Sequence, residues 1–182
     1  NGEWYYDPSS KKIRIYSTST PGDVRVASIE TLLSITGSYI TVDNLNITGA
    51  NSYGIYISNS SGHDVVIQNC DISFGGIDGI YGDQPYITIK NNNLLYMNSD
   101  GIKLVRPNGL IQNNVVKDIN DFEGMGQNDA MGGICVNGQS TTIQNNEVDS
   151  CGFKGIVFNG TNTQVKNNLV NTYCFVREYG AG

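Results

Sequence analysis

One pattern constrains this chain more than anything else in it. Six times a short apolar run closes on Asn and resumes with an apolar residue three places later: Asn44 then Ile47, Asn69 then Ile72, Asn91 then Leu94, Asn113 then Val116, Asn145 then Val148, Asn167 then Val170. Successive Asn residues lie 25, 22, 22, 32 and 22 positions apart. A second marker, Gly followed by Ile, keeps step at Gly54, Gly79, Gly101, Gly133 and Gly155, 10 residues after the Asn in every unit except the fourth, where the gap is 20. The fourth unit therefore carries a ten-residue insertion.

A unit of this size holds short strands with alternating apolar residues, and it cannot bury its apolar side alone. Stacked units can, as parallel strands about 4.8 Å apart. Composition agrees. The 22 Gly and 23 Asn among 182 residues argue against a helical protein, and Ile and Val, the apolar residues of strands, outnumber Leu. A leucine-rich repeat has a similar period but needs several Leu and one strand per unit, so it fits worse, and a hexapeptide helix needs a period of six. The expected fold is all-β: a parallel β-solenoid of about six coils, with inward Ile and Val ladders. Asn44, Asn69, Asn91, Asn113, Asn145 and Asn167 are expected to be structural, their amides bonding from coil to coil at the bends.

The pattern resembles the right-handed parallel β-helix repeats of the pectate-lyase-like superfamily, over roughly residues 38–179. The resemblance implies a right-handed solenoid and a carbohydrate-related role, in a superfamily that holds lyases, glycosidases, epimerases and non-catalytic surface proteins.

A chain of 182 residues suits one domain, read in two segments. In residues 1–37, Trp4–Tyr6 and Ile13–Tyr16 around a Pro-containing polar turn read as a β-hairpin, followed by a Ser/Thr-rich linker, both packing on the solenoid with Trp4 as an aromatic plug. Its opening is similar to the Gly-Glu-Trp-Tyr segment ahead of the β-helix in some secreted carbohydrate-active proteins. Residues 38–182 form the solenoid. Its last unit lacks the Gly-Ile marker, which reads as truncation of a longer protein and leaves open coil ends through which copies could self-associate.

The formal charge is −6 and the 11 basic residues are scattered, which argues against nucleic-acid or anionic-membrane partners. No apolar stretch is long enough to span a bilayer. Cys70, Cys135, Cys151 and Cys174 match no zinc or thioredoxin spacing, and Cys151 and Cys174 are placed for either a disulfide or stacked thiols. The lone His63 reads as a solvated turn residue.

Stacking turns residues 22 apart into vertical neighbours. The position before the marker Gly carries Tyr53, Asp78, Asp100, Gly132 and Lys154. Two places after it come Tyr56, Tyr81, Lys103, Cys135 and Val157, with Asp83 and Arg106 a little further on. These are expected to be outward columns, with Asp78 and Asp100 about 5 Å apart. Retaining glycosidases hold two carboxyls at about that spacing. The segment Asn98–Ile102 also resembles the Asn-Thr-Asp-Gly stretch of polygalacturonases, although the other three motifs of that family are absent. The competing reading is a pair of turn carboxylates bonded to local backbone.

By resemblance to β-helical lyases, Lys103 would be the base and Arg106 the group that neutralises a uronate. Ca²⁺ is then a candidate ion, held by Asp78, Asp100, Glu123 and Asp129. Nearby carboxylates would oppose a Lys base. Tyr56, Tyr81, Asp83 and Lys154 are the candidate substrate-binding residues, since aromatic columns beside polar groups suit sugar rings. The resulting expectation is an extracellular or cell-surface carbohydrate-active protein, a polysaccharide lyase or glycosidase. The alternative is a non-catalytic glycan-binding or structural module of a larger surface protein.

Overall fold

The computed structural model describes residues 4–122, 131–174 and 176. Its architecture is the expected solenoid, all β, with an antiparallel hairpin at the N-terminal side. Three six-stranded parallel sheets wrap one core. The first contains Thr31–Ile35, Tyr53–Ser58, Ile80–Asp83, Ile102–Leu104, Gly132–Val136 and Lys154–Phe158. The second runs from Ile40–Asp43 through Val65–Gln68, Ile87–Lys90, Leu110–Gln112 and Thr142–Gln144 to Gln164–Lys166. The third runs from Asn46–Ala50 through Asp71–Gly75, Asn93–Met97, Val115–Ile119 and Glu147–Cys151 to Leu169–Val170.

Each sheet supplies inward ladders. Ile55, Ile80, Ile102 and Ile134 are fully buried in the first; Ile67, Ile89, Ile111 and Ile143 are in the second; Leu94, Val116 and Val148 continue it in the third. The stack begins at Thr31, whose strand pairs with Tyr53–Ser58, so it extends into the segment read as a linker.

The corners follow from backbone chemistry. One column of residues with positive φ is Asn44, Asn69, Asn91, Asn113, Asn145 and Asn167, at 53–58°. These are the marker Asn residues, and the left-handed conformation is what selects them. The inter-coil amide ladder belongs mainly to the next position. Cys70 N–H donates to Asn92 Oδ1 at 2.9 Å, Asn92 N–H to Asn114 Oδ1 at 3.0 Å, Asn114 N–H to Asn146 Oδ1 at 2.9 Å, and Asn146 N–H to Asn168 Oδ1 at 2.9 Å. The marker glycines have a different reason. A Cβ on Gly101 would sit 2.6 Å from the Gly133 carbonyl oxygen and 2.4 Å from Val116 Cγ1, so close coil-to-coil approach excludes a side chain.

The hairpin pairs Trp4–Asp7 with Lys12–Ile15. Trp4 remains 65% exposed, so its ring is not buried as a plug. At the opposite end the last coil opens on a cavity of about 550 Å³ lined by Ile156, Val165, Val170 and Tyr173.

Candidate functional site

The bend leading into the first sheet brings Asp78 and Asp100 together on successive coils, as the repeat predicts, but buries them at 1% and 0% exposure rather than turning them outward. Alternation explains this: Asp78 lies two residues before inward Ile80, on the same side of the strand. Asp100 N–H donates to Asp78 Oδ1 at 3.0 Å, and Gly132 N–H donates to Asp100 Oδ1 at 2.7 Å. The carboxylates thus bond backbone of the next coil rather than the local backbone of the competing reading. Lys103 Nζ donates to the remaining Asp100 oxygen at 2.9 Å, its side chain 24% exposed.

Electrostatics separates the three groups. Burial, followed by the Asp100 charge, pushes the Asp78 carboxyl up to about 7, with Lys103 pulling the other way. Burial also raises Asp100, against the Lys103 charge and its hydrogen bond. For Lys103, burial alone would favour the neutral amine, but the Asp100 charge, the hydrogen bond to it and Asp78 together hold the ammonium well above the ordinary lysine range. An amine held protonated in this way is the opposite of the general base expected of Lys103.

The aromatic part of the column forms as expected and gains a member. Tyr56 and Tyr81 stack with centroids 5.2 Å apart and planes at 18°. Tyr53 joins them at 5.0 and 5.5 Å. Tyr53 precedes Asp78 in the column of residues before the marker Gly, and that position is the signal in the sequence for its place here. Burial, then the neighbouring charge of Asp78, raises the Tyr53 phenol. Burial, then Asp83, raises that of Tyr81. Arg106 Nε donates to Asp83 Oδ1 across one coil step, making Asp83 and Arg106 an ion pair at the side of the cluster. Lys154 pairs in register with Gly132, one coil beyond it, and its ammonium lies 4.7 Å from the Phe153 ring centroid.

Three further placements bear on the chemistry. Cys135 pairs in register with Lys103, but burial and the Asp100 charge push its thiol up to about 12, which disqualifies it as a nucleophile at neutral pH. His63 sits at the bend into the second sheet, bonded through Nδ1 to Asp64 Oδ2 at 2.6 Å and edge-on to Tyr39. The cysteines are all unpaired; Cys151 and Cys174 lie on adjacent coils, joined by a backbone bond of 3.0 Å.

The expected Ca²⁺ does not fit the described residues. Both Asp100 oxygens already accept from Gly132 N–H and Lys103 Nζ, Asp78 Oδ1 accepts from Asp100 N–H, and the lysine ammonium would repel a cation. Among the described residues no group of three or more His, Cys, Asp or Glu side chains is arranged to hold a metal. Glu123 and Asp129, the other expected ligands, lie outside them.

What the arrangement offers is a carboxyl that holds its proton to near neutrality, an ion-paired carboxylate one coil away, and three part-exposed tyrosines beside them. Neither a curated protein nor a solved structure matches the chain. A family described as the right handed beta helix region matches residues 31–176, most of the chain, and the protein belongs to that right-handed β-helix family.

Proposed function

We propose that this is an extracellular carbohydrate-active β-helix protein that hydrolyses glycosidic bonds in a polysaccharide at the Asp78, Asp100 and Lys103 cluster. The carrying observation is a contrast within the chain. At Asn92, Asn114 and Asn146 a neutral amide oxygen caps a backbone N–H of a neighbouring coil. At Asp78 and Asp100 a carboxylate makes the same kind of bond, with the desolvation cost of an ionisable group added. The amide would serve the fold equally well, so the carboxylates have a use beyond it.

In this reading Asp78, protonated up to about 7, is the general acid that protonates the leaving oxygen. Asp100 acts as the carboxylate across from it, its charge supported by Lys103. A retaining mechanism fits this reading, since the Asp100 N–H bonds Asp78 Oδ1 across one coil step and retaining pairs are closely spaced. Tyr53, Tyr56 and Tyr81 stack on sugar rings. Hydrolysis is favoured over elimination because Lys103 is held as an ammonium.

A second reading, glycan binding without catalysis, is favoured by one observation: carboxyls at most 1% exposed do not touch a ligand unless their cover moves. Incubation with a panel of neutral and uronate-containing polysaccharides separates the two. New reducing ends, abolished by Asp78→Asn and Asp100→Asn, support hydrolysis. Retention on an immobilised polymer with no new ends supports binding. Unsaturated ends detected by ultraviolet absorbance refute the proposed chemistry, because they require elimination.

A further inference from the structure

The corner of the third sheet is built differently from the Asn corner. Gly49, Phe74, Tyr96 and Asp118 follow one another there on successive coils, all at positive φ. A left-handed backbone disfavours bulky side chains, and the Asn corner uses a residue that tolerates it. Here the chain instead carries Phe74 and Tyr96, at φ 58° and 61° and with 58% and 47% exposure. Neither ring lies in the core, so core packing does not account for two aromatics in a strained conformation.

The two rings stack, with centroids 5.0 Å apart and planes at 18°. That separation is about one coil step, so their faces look along the solenoid axis. Tyr96 stands between Phe74 and Asp118 in the column, whereas Phe74 stands between Tyr96 and Gly49. Among the described residues nothing lies within 4 Å of the point a Gly49 Cβ would occupy. The ladder therefore ends in an open slot about one coil step high, with the Phe74 ring as its floor. Beside it the outward residues of the same two strands are Asn46, Thr48, Asp71 and Ser73. Ser73 Oγ donates to Thr48 Oγ1 at 3.0 Å, which leaves the Thr48 hydroxyl hydrogen to donate and the Ser73 oxygen to accept.

We propose that this slot binds one ring of a neutral pyranose sugar, stacked on Phe74 above Gly49, with Thr48 and Ser73 meeting its hydroxyls. A pyranose with equatorial hydroxyls has an apolar C–H face and a polar rim, and the slot offers the matching pair, an aromatic floor and a hydroxyl wall. Charge and composition select among occupants. Asp71 flanks the slot and the chain carries −6, so a uronate or a phosphate is repelled. An apolar peptide finds no aliphatic outward neighbour on the two strands that frame the slot. No residue of the Asp78, Asp100 and Lys103 cluster takes part, so the slot binds sugar whether or not glycosidic bonds are cleaved at that cluster.

Titration with cellohexaose, xylohexaose and hexagalacturonate, followed by amide and aromatic proton shifts in nuclear magnetic resonance spectra, tests this. A neutral hexaose should shift the Phe74, Thr48 and Ser73 signals to saturation, and hexagalacturonate should not. Phe74→Ser removes the floor. Gly49→Asn puts a side chain into the slot while keeping a residue that tolerates the left-handed backbone. Each should raise the dissociation constant about tenfold, with circular dichroism unchanged. Asp78→Asn should bind as wild type does, so a failure of the hydrolysis reading would leave this result standing. The proposal is overturned if neither neutral hexaose shifts those signals, if Phe74→Ser and Gly49→Asn leave binding intact, or if hexagalacturonate binds more tightly. Shifts of the same signals with protein concentration alone would mean that a second copy fills the slot, and would overturn it too.

Discussion

Replacing Asp78 by Asn should leave stability unchanged in acid and raise it in base. The amide keeps the oxygen that accepts the Asp100 N–H, and its NH₂ stands where the protonated carboxyl has its OH, so Asn copies the form of Asp78 that burial favours. The native carboxyl titrates at about 7 rather than the ordinary 3.8, an upward displacement of roughly three pH units, or about 4 kcal/mol at about 1.36 kcal/mol per unit. Below pH 3.8 both folded and unfolded chains hold the proton, and the group makes no difference. Between 3.8 and 7 the unfolded chain ionises while the native one does not, so the native state binds more protons and wild-type stability declines as pH rises. Above 7 the full penalty is present. Urea unfolding of both proteins at pH steps from about 4 to about 8 should show a difference near zero at the acid end that grows to about 4 kcal/mol in favour of Asn. A difference that stays flat across the series, or an Asn variant weaker than wild type at about pH 8, would refute the assignment of Asp78 as a buried, proton-holding carboxyl.

Three other substitutions test the scaffold around it. Lys103→Met leaves the buried Asp100 without its counter-charge, so the unfolding free energy from denaturant titrations should fall by about 3 kcal/mol at about pH 8 and by less at about pH 5, where Asp100 can take up a proton. Asn114→Ala removes the acceptor of the Asn92 N–H and the donor to the Ile89 carbonyl, both buried, and should cost about 2–4 kcal/mol in urea titrations. At Asn113, whose φ is 55°, Gly should be tolerated within about 0.5 kcal/mol while Val should cost about 1–2 kcal/mol by the same measurement.

The periodicity of Asn and Gly was enough to read the solenoid, its coil number and the vertical pairing of Asp78 with Asp100. Three details escaped for physical reasons. The amide ladder sits on the second residue of each Asn-Asn pair, at Asn92, Asn114, Asn146 and Asn168. In the first two coils that column holds Leu45 and Cys70, so the preceding Asn looked more regular and drew the ladder to itself. The first strand, Thr31–Ile35, has no Gly-Ile marker and precedes the first Asn, so only its pairing with Tyr53–Ser58 reveals it. The burial of Asp78 was implied by its parity with Ile80, but a residue at a bend beside a marker Gly reads as surface. Whether a carboxylate there meets water or backbone depends on the neighbouring coil, which alternation along one strand does not encode.

The long fourth coil has a consequence for how such a protein acquires new properties. Lys103 and Cys135 pair across 32 positions as evenly as Tyr81 and Lys103 do across 22, and Gln112 faces Gln144 in the same way. Ten additional amino acids have therefore been accommodated between Ile119 and Gly132 without displacing any rung on either side. That junction adjoins Asp100, through the Gly132 N–H. A lineage could lengthen, shorten or rewrite the segment between those two rungs, while folding would answer only to the untouched turns above and below.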